Sequence, residues 1–164
     1  MEKLLVDYVK GILTEPNIQR EEEITNACQY ILKKVTRDQN LALLRVITKE
    51  EVEEVVKEMA KNKAPRPDGF TIEFYQASWS FMSQDLADLM EESRCMKRMN
   101  PALNATFLAL IPKMENTEEP QGFKPISLCN VVYKILATIM VNTLKPILPD
   151  LIAEEKLVLL REDR

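Results

Sequence analysis

The chain has 164 residues, 46% of them hydrophobic, a formal net charge of −4, three cysteines and no histidine. That is enough apolar material for one domain, or a large part of one, with a real core. The acidic balance excludes a free-standing nucleic-acid module driven by a general basic excess, so any such contact has to be local. Cys28, Cys95 and Cys129 form no CxxC pair, which excludes a disulfide framework and a zinc finger and points to reduced, partly buried thiols. Without histidine, the chemistry open to the chain is that of carboxylate, lysine or metal. The start, MEKLLVDYVKGILTEPN, is too short and interrupted for a signal peptide. No later run approaches the roughly 18 apolar residues of a membrane span. A soluble intracellular protein is expected.

Leu4, Leu5, Val9 and Ile12 have near-helical spacing, and Pro16-Asn17 breaks it, predicting a short helix and a linker. A weaker pattern, Ile24, Cys28, Ile31 and Leu32 behind Glu21 to Glu23, predicts a surface helix over 21–34. Residues 35–45 show no period and read as a connector that packs Leu41, Leu43 and Leu44. The clearest local signal follows: Thr48 and Glu51 have capping-box spacing, and Ile47 and Val52 can form the hydrophobic staple. Val52, Val55, Val56 and Met59 then share a core face, with Lys57 and Lys61 where a helix end favours cations.

KNKAPRPDGF must bend sharply, because Pro65 and Pro67 forbid a helix and Asp68-Gly69 supplies a turn. It is either a plain loop or a rigid turn carrying Lys61, Lys63 and Arg66 toward a phosphate backbone. Thr71 is placed to cap a short helix whose Phe74, Tyr75, Ser78 and Trp79 read as core sooner than as a base-stacking platform. Ser83 is expected to cap a second helix with Leu86, Leu89, Met90 and Ser93 buried. Asp85 and Asp88 near its start are too few ligands for a metal. Asn100-Pro101 closes it.

NATFLALIPK, MENTEEPQG and FKPISLCNVVYK, from Asn104, then read as strand, polar loop, and an extended segment entering a helix. This hairpin places Lys113 and Lys124 at the two ends of its loop, where both could approach one polyanion if the strands pair. On spacing alone, ordinary solvated loop ends are the commoner outcome. Val132, Ile135, Leu136, Ile139, Met140, Thr143 and Leu144 follow i, i+3, i+4, i+7 until Pro146 and Pro149. This helix is expected to be the most buried. The predicted fold class is mainly α with a small β-hairpin, an α+β arrangement.

KAPRPDGFTIEFYQASW, NATFLALIPK and FKPISLCNVVYKILATIMVNTLKPILPDLI, in that order and spacing, resemble the reverse transcriptase of LINE-type non-LTR retrotransposons, most closely the plant form. The resemblance implies a partial right-hand polymerase: a helical N-terminal extension over 1–46, fingers and the start of the palm over 47–155, and a divergent tail over 156–164. It implies that Lys113 and Lys124 contact the incoming nucleotide or template, with RNA template, DNA primer and dNTP as partners. Position 124 is usually arginine in that family, and lysine keeps the charge but loses the bidentate fork. The family's turn has glycine where Arg66 stands; if that turn needs a glycine-only conformation, Arg66 costs on the order of 1 kcal/mol or more.

The family's two magnesium ions are held by a palm aspartate and an aromatic-x-Asp-Asp turn. This chain has no Asp-Asp pair, which implies no catalytic residue, no metal ligand and no cofactor in this fragment. Two functions stand: a catalytically inactive polymerase fragment with residual nucleotide or template-primer affinity, or a fragment with no enzymatic role, either a helical interaction module or the product of a decayed element. In the second, apolar faces left uncovered lead to self-association.

Overall fold

The computed structural model describes residues 2–14, 24–26, 35–64 and 66–151. The chain divides into two compact units, one made of 1–33 and 108–127, the other of 34–107 and 128–164. The expected helix over 21–34 lies outside the described residues except for 24–26, which are helical.

In the first unit, helix α1 (Glu2–Leu13) follows the spacing of its apolar residues, with Lys10 in the last turn where the helix dipole favours a cation. Leu5, Val9 and Leu13 line a cavity of about 440 Å³ together with Leu108 and Leu110 of the hairpin. Leu4 and Ile12 remain exposed.

The second unit holds the main core. Its first helix, α2 (Arg37–Leu43), starts with a full capping box: Gln39 N donates to Thr36 Oγ1, and Thr36 N donates to Gln39 Oε1. The expected connector is therefore a helix at its centre, and the expected packing of its leucines fails. Leu41 and Leu44 are exposed and Leu43 half-buried, because a helix of two turns has room for one contact line only.

Helix α3 (Lys49–Glu58) starts where its cap predicts, with Thr48 Oγ1 accepting from Glu51 N at 3.3 Å. The reciprocal half of a capping box is replaced, since the Glu51 carboxylate is taken by Arg45 in a bidentate pair at 2.9 and 2.7 Å. Val52, Val55 and Val56 are buried and Ile47 packs beside them.

Helices α4 (Ile72–Ala77) and α5 (Trp79–Met96) meet at Ser78. Thr71 holds the cap position of α4 without a side-chain cap bond. The expected start at Ser83 is wrong: α5 begins earlier, and Ser83 is buried inside it beside Leu86, Ala87, Met90 and Ser93. The small hydroxyl occupies the core-facing stripe, which composition alone reads as a cap. Lys97 ends α5 in the left-handed region, φ 55°. Of the aromatic flank, Tyr75 is buried and Phe74 half-exposed, and Phe70, Phe74 and Tyr75 form one edge-packed cluster.

Strands β1 (Thr106–Pro112) and β2 (Phe123–Cys129) pair as a two-stranded antiparallel hairpin. Helix α6 (Val131–Leu144) follows directly and buries Val131, Val132, Ile135 and Ile139 against α3 and α5. Of its predicted stripe, Val132, Ile135 and Ile139 are buried, Leu136 and Thr143 half-buried, and Met140 and Leu144 exposed; Val141 beside them is exposed as well. A last turn, α7 (Leu148–Leu151), lies beyond Pro146, and Gln39 Nε2 reaches Asp150 from α2 at 2.8 Å. Cys95 is exposed and Cys129 half-buried, both free thiols. No helix of the described residues is long and apolar enough to cross a membrane.

Candidate functional site

The hairpin's loop is closed by backbone. Lys113 N donates to Gly122 O at 2.8 Å, and a 3-10 turn over Pro120–Gly122 leads into β2. Thr117 Oγ1 donates to Met114 O at 2.9 Å and folds the loop inward. Thr117 lies so near Gly122 that a Cβ there would meet its methyl at 2.1 Å, so a larger residue has to displace the Thr117 side chain. Lys113 and Lys124 are both exposed. The Lys113 ammonium donates to Gln121 O at 2.9 Å, an exposed bond that a phosphate oxygen can replace at small cost.

The turn after α3 bends at Asp68-Gly69 as its sequence reads, and Asn62 adds a bend ahead of it. Asn62 takes a left-handed conformation, φ 57°, and its N–H donates to Glu73 Oε1 at 2.6 Å. That bond and the Thr71 hydroxyl hold the Glu73 carboxyl below its usual range. Pro67 and Asp68 form the tight turn, with Gly69 N donating to Arg66 O at 3.0 Å and Gly69 at φ 75°. Asp68 Oδ1 accepts from Phe70 N at 3.1 Å.

Among the described residues of this turn, Asn62 and Gly69 take left-handed conformations. Arg66 is 8% exposed, with Nη1 buried and without a hydrogen-bond partner. Lys61 and Lys63 are exposed, as a solvated turn requires. Arg66 and Lys63 line a cavity of about 180 Å³ with Lys134 of α6, Thr71 and Glu73, against Ile72 and Val131. Lys134 carried no sequence signal, since it sits on a helix read for its apolar face.

Asn130, 1% exposed, ties this region together. Its Oδ1 accepts from Asp68 N at 3.3 Å, while Nδ2 donates to Ala102 O and Leu103 O at 3.4 and 3.2 Å. Asparagine is favoured as an N-cap, yet here the side chain makes no cap bond.

Acid–base chemistry has little foothold. Burial and the Asp68 carboxylate push the Tyr75 hydroxyl up to about 12, keeping it a phenol at neutral pH. The Cys95 thiol is raised by its hydrogen bond to Glu91 at 3.3 Å, so it is no activated nucleophile. Arg94 holds Glu91 down to about 2, with help from the Ile47 N–H. Asp88 accepts from Gln84 at 2.9 Å. Among the described residues no three His, Cys, Asp or Glu side chains are grouped to hold a metal ion.

A larger groove of about 520 Å³ runs beside α6, floored by Leu136, Ile139 and Met140 and edged by Arg45, Lys97 and Arg98.

No protein-family model matches the chain. Over 106 residues it is 30% identical to a Xenopus laevis protein described as Transposon TX1 uncharacterized 149 kDa protein. The match covers 65% of this chain and 8% of that protein, so the chain spans a small part of its relative. That similarity supports a transposon-derived origin for the chain.

Proposed function

We propose that the chain is a fingers-region portion of a LINE-type retrotransposon RNA-directed DNA polymerase, a partial right-hand fold that contacts nucleotide or template-primer through Lys113 and Lys124. The observation that carries this reading is the paired hairpin with both lysines exposed at its loop ends. The ordered motifs around it and the similarity to a transposon protein support it further. In polymerases of that kind, magnesium ions stabilise charge on the attacking and leaving oxygens. The described residues do not supply the carboxylate set that would hold them, and the sequence has no Asp-Asp pair. No nucleotidyl-transfer step is therefore assigned to this chain, and its role is binding.

The test is a salt titration of binding to an RNA template annealed to a DNA primer, with a Lys113→Ala, Lys124→Ala variant alongside. Two lost phosphate contacts lower the salt slope by about 2 and the affinity by roughly tenfold or more. An unchanged slope in a folded variant sinks the proposal.

A second reading, a non-enzymatic interaction module that self-associates, is favoured by one observation: Met140, Val141 and Leu144 are exposed beside the apolar groove of α6. Sedimentation velocity separates the two, since a monodisperse monomer at high protein concentration removes this reading.

A further inference from the structure

We infer that the cavity formed by Arg66, Lys63 and Lys134 is a binding site for a phosphate-type oxyanion. A guanidinium nitrogen buried without a partner is rare, because desolvating a charge is costly unless something pairs with it. Arg66 is in that state: it is 8% exposed, and Nη1 has no hydrogen-bond partner. The cavity its side chain lines measures about 180 Å³, enough for a tetrahedral anion with a water or two.

The charge in the cavity is one-sided. Arg66, Lys63 and Lys134 bring three cations, and Glu73 the single carboxylate. That carboxylate is already engaged, accepting from Asn62 N at 2.6 Å and held low by the turn's own hydrogen bonds, and it makes no ion pair with Arg66. Three cations around an engaged carboxylate leave an excess that an oxyanion neutralises. Arginine's planar fork suits such a ligand better than a point charge does, and Thr71 adds a hydroxyl at the rim.

The phosphate group has two sources, free inorganic phosphate or one phosphate of a nucleic-acid backbone. The site rests on the cavity and not on the polymerase reading, so it survives failure of Lys113 and Lys124 to bind. If the source is nucleic acid, it deepens that reading by adding a second contact on the same polymer.

The experiment uses the full chain. Inorganic phosphate is titrated at constant ionic strength with thermal melting as the readout, for the wild type, Arg66→Met and Lys134→Met. Binding of a single-stranded oligonucleotide is then measured for the same proteins and for the Lys113→Ala, Lys124→Ala variant. For free phosphate, the wild type melts progressively higher, Arg66→Met weakens the apparent affinity about tenfold, and Lys134→Met weakens it about threefold. For a backbone phosphate, oligonucleotide affinity falls in Arg66→Met while phosphate alone has no effect. Either pattern supports the site. Lys134 is half-buried, so Lys134→Met keeps the test open if Arg66→Met fails to fold. Phosphate stabilisation that is equal in wild type and variants is general salt exclusion, and with unchanged oligonucleotide binding it overturns the inference. No response to either ligand overturns it as well.

Discussion

Asn130 is a side chain whose removal should be felt well beyond its own position. It accepts one hydrogen bond from Asp68 N and donates two, to the carbonyls of Ala102 and Leu103, at 3.2 to 3.4 Å. A typical buried hydrogen bond contributes about 0.5–1.5 kcal/mol net, and bonds this long fall at the low end. Three of them, with the partners left partly unsatisfied in Asn130→Ala, come to about 2–3 kcal/mol. For a chain of this size that lowers Tm by roughly 4–12 °C. Asn130→Asp is the sharper test. It keeps the acceptor for Asp68 N but turns a carboxylate oxygen on two carbonyls in a site that is 1% exposed. At pH 7 the aspartate should therefore be less stable than the alanine, and should recover part of the loss as it protonates in acid. Thermal melts of the three proteins at pH 7 and pH 4 decide it. An aspartate variant as stable as wild type at pH 7, or an alanine variant within about 0.5 kcal/mol of it, would refute the assigned hydrogen bonds.

Further expectations follow from single contacts. Gly122→Ala should displace Thr117 and loosen the loop between Lys113 and Lys124, faster amide exchange at Lys113 being the readout, at a cost of about 1 kcal/mol or less to overall stability. Glu91 is held at about 2 against a usual 4.5, so its contribution is complete above pH 4.5 and lost as pH falls toward 2. The full shift corresponds to about 3 kcal/mol, which solvent screening of a partly exposed pair reduces to about 1 kcal/mol. The stability gap between wild type and Glu91→Gln should thus close over that interval, and a gap that is flat with pH contradicts the pairing. Met140→Lys should leave Tm within about 1 kcal/mol equivalent, since the residue is 55% exposed, while shifting any oligomer seen by sedimentation toward monomer.

The elements legible in the sequence are those whose signal is local. Thr48 caps α3, the prolines and polar loop punctuate the hairpin, and the spacing of Val132, Ile135 and Ile139 gives α6 its buried side. Misreadings came where a residue's role is set from outside its own segment. Thr36 and Gln39 had capping spacing, but α2 has no fully buried residue, so periodicity is silent there. Ser83 looks like a cap and is core because α5 runs unbroken past it. Asn130 drew no reading of its own, because its partners Asp68 and Leu103 lie far off in the sequence. At the candidate site, Lys113 and Lys124 could be named from the hairpin, whereas Lys134 could not, because only the packing of α6 against the turn puts it beside Arg66.

The two departures from the resembled family's pattern act through different physics. At 124, lysine in place of arginine keeps one exposed charge and removes a bidentate fork, so any oxyanion held there is held less rigidly. At 66, arginine in place of glycine does the reverse, introducing a buried fork into the cavity it lines with Lys63 and Lys134. The Arg66→Gly variant separates backbone from charge. If the backbone governed, glycine would stabilise the chain in every buffer. Because the cost arises instead from an unpartnered buried guanidinium, removal should stabilise the chain in chloride, and the advantage should shrink as phosphate is added, by about 1.4 kcal/mol for each tenfold excess over the phosphate Kd. An advantage independent of phosphate would exclude free phosphate as the ligand, and together with unchanged oligonucleotide binding by Arg66→Gly it would return the explanation to the backbone and take the anion site with it.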